Sequence, residues 1–97
     1  MRYISTRGVA PELDFDDVLI TGLARDGGLY VPKEWPRFSK AEIESMKSLT
    51  YSELAVKIME PFIGDNIPTD DFIALVHKTY SRFQHSAIAP LKQLENN

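Results

Sequence analysis

Hydrophobic residues recur at helical spacing behind an acidic start in the first third of the chain. The apolar positions fall at i, i+3, i+4, i+7 and i+8, and they are Phe15, Val18, Leu19, Gly22 and Leu23. Asp14 is a good N-cap, and Asp16 and Asp17 follow in the first turn, where carboxylates suit the helix dipole. The pattern predicts a helix over 14–25. Gly22 costs this helix about 1 kcal/mol relative to Ala, so we expect a large side chain to pack closely over it.

Two capping boxes predict the next two helices. Ser39 and Glu42 form the first box, which opens a short helix that ends at about 46–47. Thr50 and Glu53 repeat the arrangement and open a longer helix. The apolar face of this longer helix consists of Leu54, Ala55, Ile58, Met59 and Phe62.

The second half of the chain contains a proline in a helical pattern and one more helix start. Pro61 removes a backbone hydrogen bond, so we expect the longer helix to kink or end there. Thr69 is predicted to cap a last helix, with Asp70 and Asp71 in its first turn. The buried face of this helix is predicted to be Phe72, Val76, Tyr80 and Phe83. Leu91–Leu94 are a candidate for a further strand.

Two short segments predict strands. Arg2–Ser5 carries large side chains without a breaker, and Leu29–Val31 is apolar, aromatic and β-branched. Gly27 and Gly28 are expected to stop the first helix, and Pro32 to limit the second strand. Because a two-stranded ribbon is marginal alone, we expect the two strands to pair with the helices as backing. The predicted fold is a small α+β domain, mostly helical, with a two-stranded β ribbon.

Composition narrows the functional classes. The 97 residues suit one small domain or a piece of a larger chain. The net charge of −3 offers no basic footprint for nucleic acid and no polybasic stripe for a membrane surface. The absence of cysteine excludes disulfides, zinc–thiolate sites and thiol catalysis. No secretory signal or membrane-spanning run is visible, so we expect a soluble, cytoplasmic protein.

Two conspicuous features near the first helix have ordinary structural explanations. Gly27 and Gly28 could suggest a phosphate loop, but such loops run from a strand into a helix N-terminus, whereas here the predicted helix comes first. A helix stop therefore explains the glycines better. Trp35 is the only tryptophan and lies between two prolines. We expect it to close the edge of the core rather than bind a ligand.

The histidines and the acidic pairs also favour a structural interpretation. His77 and His85 are predicted to lie on a helix and in a loop, without a nearby thiolate, which is a weak signal for a metal site. Asp16-Asp17 and Asp70-Asp71 resemble paired carboxylates for acid–base catalysis. Each pair lies in the first turn of a predicted helix, where attraction to the helix dipole accounts for it.

The segment Ser5-Thr6-Arg7 is the strongest candidate for a binding site. Two hydroxyls and a guanidinium ahead of Gly8 could hold a phosphate or carboxylate. The alternative is an ordinary polar turn in which Arg7 forms a surface ion pair. The residues alone favour this alternative, and they indicate no more than a small soluble α+β domain.

Several segments taken together resemble the N-terminal domain of threonine synthase. They are Tyr3-x-Ser5-Thr6-Arg7-Gly8, Asp17-Val18-Leu19 with Gly22-Leu23-Ala24, and Asp26-Gly27-Gly28-Leu29-Tyr30-Val31-Pro32. The likeness continues through Pro61-Phe62-Ile63 and Tyr80-x-x-Phe83. Each segment is weak alone, but their order and separations match together. The resemblance covers essentially residues 1–97.

The resemblance implies a parent enzyme that depends on pyridoxal 5'-phosphate. Threonine synthase is a lyase that converts O-phospho-L-homoserine and water into L-threonine and phosphate. Its cofactor is held by a lysine in a Phe-Lys-Asp-like stretch and by a Gly-rich segment, and its N-terminal domain packs against catalytic α/β domains. None of the lysines of this chain lies between Phe and Asp. We therefore expect a chain that is cut short before the cofactor lysine, binds no cofactor and is inactive alone.

The resemblance changes the interpretation of Ser5, Thr6 and Arg7. In a parent enzyme this turn could line the entrance of the site for the phosphorylated substrate, or it could equally form a contact between domains. No catalytic role follows for any residue of this chain. Two other interpretations of the whole chain are a stand-alone interaction module without catalysis and an unrelated small α+β protein.

Overall fold

A three-stranded antiparallel sheet and four helices make up the fold of this α+β domain. The computed structural model describes residues 1–95. The strands are β1 (Arg2–Ser5), β2 (Leu13–Asp14) and β3 (Tyr30–Pro32), and the helices are α1 (Phe15–Thr21), α2 (Lys40–Ser45), α3 (Tyr51–Ile63) and α4 (Thr69–Tyr80). Short 3-10 helices follow α2 at Met46–Ser48 and α3 at Gly64–Asn66. None of the helices in residues 1–95 is long and apolar enough to cross a membrane.

The sheet has one strand more than the predicted ribbon. β1 is the central strand, and it pairs antiparallel with β2 on one side and with β3 on the other. The predicted pairing of the first and last strands is confirmed, with Ile4 opposite Val31. The last strand is displaced by one residue and includes Pro32, which an edge strand tolerates. β2 was missed because two residues are too short to show an alternating pattern.

Helix α1 ends four residues earlier than predicted. Asp14 caps it as expected, because its side chain accepts a hydrogen bond from the Asp17 N–H. The helix stops at Gly22, whose φ is 71° and whose N–H still donates to the Val18 carbonyl. The expectation of a large side chain over Gly22 is wrong, since no atom lies within 4 Å of the position a Cβ would take. Gly22 is needed because glycine readily adopts this positive φ. The prediction that Gly27 and Gly28 stop the helix is therefore wrong.

Both predicted capping boxes are present. The Ser39 hydroxyl accepts from the Glu42 N–H, while the Glu42 carboxylate accepts from the Ser39 N–H at 2.7 Å. Thr50 and Glu53 form the same reciprocal pair ahead of α3. The sequence signature therefore marks both helix starts correctly, because these bonds involve only residues three positions apart.

The boundary between α3 and α4 corrects two predictions. Pro61 does not end α3, which continues to Ile63 and stops at Gly64 with φ 66°. Pro61 lies in the last turn, where the loss of one hydrogen bond is tolerable. Thr69 is not the N-cap of α4: Pro68 occupies that position, and no side chain caps the helix.

The core lies between α3 and α4. Ile63, Phe72 and Val76 are buried there, and the partly buried residues packed against them are Phe15, Ala55, Val56, Met59, Ile67 and Tyr80. The buried Tyr3 hydroxyl donates to the Phe62 carbonyl at 2.6 Å and so ties the sheet to α3. Burial raises the pKa of the Tyr3 phenol.

Three predicted positions of apolar residues are wrong. Trp35 is 65% exposed and meets Phe62 edge-on, with ring centroids 6.2 Å apart, so it does not close the core. Phe83 is half-exposed beyond the end of α4 and contacts Tyr80. Leu91–Leu94 form no strand, and both leucines are exposed, because the segment packs on no sheet edge in the described residues.

Candidate functional site

Two hydrogen-bonded turns form the candidate site. The first, residues 5–10, follows β1 and is closed by the Gly8 N–H, which donates to the Ser5 carbonyl at 2.9 Å. The second, residues 24–29, leads into β3. It is closed by the Ala24 N–H, which donates to the Gly28 carbonyl, and by the Gly27 N–H, which donates to the Ala24 carbonyl. The Thr6 N–H donates to the Leu29 carbonyl at 2.8 Å, so the strand pairing continues into both turns.

The Asp26 carboxylate holds the two turns together. Its Oδ1 accepts from the Ser5 hydroxyl at 2.8 Å and from the Gly28 N–H at 2.9 Å. Its Oδ2 accepts from the Val9 N–H at 3.0 Å and from the Ala10 N–H at 2.9 Å. Four donors from three parts of the chain therefore converge on one half-buried side chain.

These bonds set the ionisation of Asp26. Burial by itself would raise the pKa of its carboxyl, but the hydrogen bonds from Gly28, Ser5, Ala10 and Val9 outweigh it and lower the pKa from 3.8 to about 2. The group is therefore ionised throughout the physiological pH range. It acts as a structural acceptor and has no proton to exchange in a reaction near neutral pH.

Gly28 is required by the close approach of the two turns. A Cβ at this position would collide with the Ser5 hydroxyl oxygen and would lie 3.0 Å from Asp26 Oδ1 and 3.1 Å from the Arg7 nitrogen. The glycine therefore provides room for the bond between Ser5 and Asp26.

The structure brings Ser5, Thr6 and Arg7 together but gives them different environments. Ser5 is 4% exposed, and its hydroxyl is committed to Asp26. The Thr6 hydroxyl oxygen accepts from the Leu29 N–H at 3.0 Å. Arg7 is exposed, and its Nη1 donates to the Asp26 backbone carbonyl at 2.9 Å.

Arg7 does not form the surface ion pair expected of an ordinary polar turn. Within residues 1–95 the ion pairs join Arg2 and Lys33 to Glu12, and Lys47 to Glu44. The Arg7 guanidinium is thus held in place by a neutral carbonyl and keeps its full charge at the surface. An exposed, positioned guanidinium is suited to a phosphate or carboxylate.

The other candidates from the sequence form no site in the described residues, although Gly27 and Gly28 close a turn and do not stop a helix. The glycine pair offers no phosphate cradle, because the Gly27 and Gly28 N–H groups donate to Ala24 and Asp26, and the Asp26 carboxylate would repel an anion. No group of three or more potential metal ligands occurs within the described residues, and His85 Nδ1 accepts from the Ala87 N–H. Both acidic pairs lie in the first turns of α1 and α4, as predicted.

Asp26 is the functional residue that sequence reasoning missed. It entered the argument only as part of a longer segment of resemblance. A signal was present, since Asp directly before Gly-Gly is typical of a turn in which the carboxylate bonds to nearby backbone N–H groups. The bonds to Ser5, Val9 and Ala10 reach back 16 to 21 residues and are visible only in the structure.

The chain matches a protein family described as "Threonine synthase N terminus" over residues 2–80. The chain belongs to this family. It is 55% identical over its whole length to a threonine synthase from Pseudomonas aeruginosa, of which it covers 21%. It is 39% identical over 97 residues to threonine synthase-like 2 from Rattus norvegicus, of which it covers 20%. The chain thus spans about a fifth of the length of the relatives it matches.

Solved structures agree with this assignment. The chain matches a threonine synthase from Brucella melitensis, solved with PLP bound, with a TM-score of 0.90 and 46% identity, over 100% of this chain and 21% of the other. It matches the threonine synthase from Escherichia coli with a TM-score of 0.76 and 27% identity, over 99% of this chain and 21% of the other. The family's N-terminal fold is therefore the fold of this chain.

The two turns of the candidate site do not fit pyridoxal phosphate. Such a site needs a lysine for the imine and N–H groups that are free to hold the phosphate. Neither turn contains a lysine, and the N–H groups of the glycine pair are occupied.

Proposed function

We propose that this chain is the N-terminal domain of a threonine synthase, the lyase that converts O-phospho-L-homoserine and water into L-threonine and phosphate. The observation that carries the proposal is the 55% identity over the whole chain to a threonine synthase five times as long. The chemistry would belong to pyridoxal phosphate bound by the catalytic α/β domains of the same parent chain. The 97 residues alone would bind no cofactor and be inactive. A cytoplasmic location stays a prediction.

A second candidate is a stand-alone threonine-synthase-like interaction module without catalytic activity. The chain also matches relatives named threonine synthase-like 2 at 36–39% identity, but it covers only about a fifth of their length. The identity to the Pseudomonas aeruginosa threonine synthase is higher by a wide margin. A stand-alone module is disfavoured by the many large apolar side chains that the domain exposes.

Ser5, Thr6 and Arg7 would form a polar rim for the phosphorylated substrate in the parent enzyme. Arg7 would supply the positive charge, because its guanidinium is exposed and lacks an acidic partner among the described residues. Thr6 would add its hydroxyl hydrogen, since its oxygen already accepts from Leu29. Ser5 would act indirectly, by fixing Asp26, whose backbone carbonyl holds Arg7.

The test of the proposed function is phosphate release from O-phospho-L-homoserine with added pyridoxal phosphate. We expect activity from the natural gene product extended beyond residue 97 and none from the 97-residue chain. Silence in both would favour the interaction module. Activity in the short chain would show that the cofactor lysine lies within it.

Arg7→Gln in the extended protein tests the substrate rim. We expect KM for the phosphorylated substrate to rise roughly 10-fold or more, as for the loss of a charged hydrogen bond of about 1.5–3 kcal/mol, with a smaller change in kcat. Arg37→Gln is the matched control, because Arg37 is exposed in the loop after β3 and belongs to neither turn. Equal effects of the two substitutions, or none, would contradict a role for Arg7 in substrate binding.

A further inference from the structure

The Arg7 side chain lies against the second turn of the candidate site. Its Nη1 donates to the Asp26 backbone carbonyl at 2.9 Å. A Cβ on Gly27 would lie 2.5 Å from Arg7 Nη1 and 3.2 Å from Arg7 Cζ, so the guanidinium occupies the space that this glycine leaves. A surface arginine otherwise samples many rotamers. The hydrogen bond and the close approach to Gly27 therefore fix the position of the positive charge.

In this position the guanidinium keeps the donors that an anion needs. A phosphate is recognised by two N–H groups on one edge of the planar guanidinium. The nitrogen that bonds to Asp26 is Nη1, and within residues 1–95 the Nε and Nη2 atoms of Arg7 form no hydrogen bond and no ion pair. The edge formed by Nε and Nη2 is therefore available for a phosphate.

Asp26 holds both the guanidinium of Arg7 and the backbone that carries it. The Asp26 carbonyl accepts from Arg7, while the carboxylate accepts from the Ser5 hydroxyl on one side of Arg7 and from the Val9 and Ala10 N–H groups on the other. An amide at position 26 would turn its NH₂ towards backbone N–H groups, which places donors opposite donors. Both the direction and the origin of the arginine side chain therefore depend on this carboxylate.

The Asp26 carboxylate does not cancel the charge that it helps to place. Its four donors lie within 3.0 Å, and none of them belongs to the Arg7 side chain. These donors also account for the pKa of about 2, so the carboxylate is satisfied as an anion by hydroxyl and backbone groups. An anion that reaches Arg7 therefore meets a guanidinium that is positioned by Asp26 but not paired with its carboxylate.

We propose that Asp26 is a positioning residue for substrate binding in the parent enzyme, where it fixes Arg7 so that Nε and Nη2 meet the phosphate of the substrate. This assignment rests on the proposed function, in which Arg7 binds the phosphorylated substrate. Asp26 does not touch the substrate and acts through Arg7. A donor that is already ordered loses less conformational entropy on binding, so the loss of Asp26 weakens substrate binding.

A double-mutant cycle in the extended natural protein tests the positioning role. Asp26→Asn should raise KM for O-phospho-L-homoserine roughly 5-fold, within the range by which residues of one hydrogen-bond network couple, with kcat nearly unchanged. In the Arg7→Gln background the same substitution should change KM by less than about 2-fold, because the guanidinium that Asp26 positions is absent. A purely structural effect would reduce the folded fraction, and so lower kcat at unchanged KM in both backgrounds.

Two further variants support the test. Asp71→Asn is the matched control, because Asp71 is exposed in the first turn of α4 and its side chain forms no hydrogen bond within the described residues. Its KM should equal that of the unsubstituted protein. Ser5→Ala removes one of the four donors to Asp26, and it replaces Asp26→Asn in the cycle if that variant fails to fold by circular dichroism. It should raise KM by a smaller factor, and only while Arg7 is present.

The outcomes separate the positioning role from the proposed function. Equal increases in KM in both backgrounds, or a lower kcat at unchanged KM, would overturn the positioning role and leave the proposed function intact. No effect of Arg7→Gln on KM would overturn the role of Arg7 and that of Asp26 together. The absence of phosphate release by the unsubstituted protein would refute the proposed function, and the positioning role with it.

Discussion

The Asp26 side chain connects residues that are distant in sequence through one carboxylate. It accepts from the Ser5 hydroxyl and from three backbone N–H groups. The ionised form is stabilised by these bonds, which is why the pKa falls to about 2 despite burial. The conformation of the segment that carries Arg7 therefore depends on Asp26, which lies 19 residues further along the chain.

The first prediction concerns the acid stability of the chain and Asp26. Since the pKa of Asp26 is lower in the folded state than its ordinary value of 3.8, its contribution to the free energy of unfolding is complete above that value. The contribution is lost as the pH falls from about 4 towards 2. We expect Asp26→Asn to lower the free energy of unfolding near neutral pH and to weaken its decrease between about pH 4 and 2. The measurement is urea unfolding at a series of pH values, followed by circular dichroism.

Glu34→Gln is the control for this prediction. Glu34 is exposed in the loop after β3, and its side chain forms no hydrogen bond within the described residues. The free energy of unfolding of this variant should decrease at acid pH by as much as that of the unchanged chain. Hydrogen bonds also lower the pKa values of Asp14, Glu42 and Glu53. The stability of Asp26→Asn should therefore still decrease at acid pH, but by less than that of the unchanged chain. An unchanged pH dependence of the free energy of unfolding in Asp26→Asn would contradict the hydrogen bonds assigned to Asp26.

At the scale of elements, helix starts depend on local bonds and helix ends on backbone conformation. The capping boxes of α2 and α3 are formed by residues three positions apart, and both were predicted. The ends of α1 and α3 are set by Gly22 and Gly64, both at positive φ. Helix α4 differs from the others because no side chain caps it.

The second prediction compares two threonines that look alike in the sequence. Thr50→Ala removes the cap of α3 and should lower the free energy of unfolding by about 0.5–2 kcal/mol. Thr69→Ala should change it by less than about 0.5 kcal/mol, because Thr69 is exposed inside the first turn and caps nothing. Urea unfolding of both variants distinguishes them. Similar losses would mean that Thr69 caps α4 after all.

The molecule as a whole has a small core and a large open surface. Three residues of α3 and α4 form the buried cluster, whereas exposed apolar side chains are spread over α1, the turns and the segment after α4. A domain of this size buries a limited fraction of its surface even when compact. Its stability therefore depends strongly on the few buried residues.

The third prediction tests this dependence on the core. Phe72→Ala should cost about 3–5 kcal/mol, which is most of the stability of a small domain, so the helical circular dichroism signal should largely be lost. Phe83→Ala is the control, because Phe83 is 48% exposed and contacts only the edge of the core through Tyr80. A folded Phe72→Ala variant with nearly unchanged stability would contradict the assigned core.

The sequence by itself determined the local features of this protein. Both capping boxes, the Asp14 cap and the acidic first turns depend on residues close in sequence, and all were predicted correctly. The bounds of β1 were also predicted correctly, because its large side chains without a breaker favour an extended strand. The family could also be identified from the sequence. Each matching segment is weak alone, but together their order and separations are specific for the family. The two-residue β2 and the early end of α1 were missed, since pattern periodicity needs longer segments and does not reveal φ.

Only the tertiary structure decided what each predicted residue does. Ser5, Thr6 and Arg7 are adjacent in sequence, yet one is buried, one bonds across to Leu29 and one is exposed, because Asp26 lies 16 to 21 residues from the donors that orient this turn. Helical spacing placed Phe15 and Leu19 on one stripe, but it could not indicate which half this domain covers. Burial depends on contacts between distant segments, and local spacing does not encode those contacts.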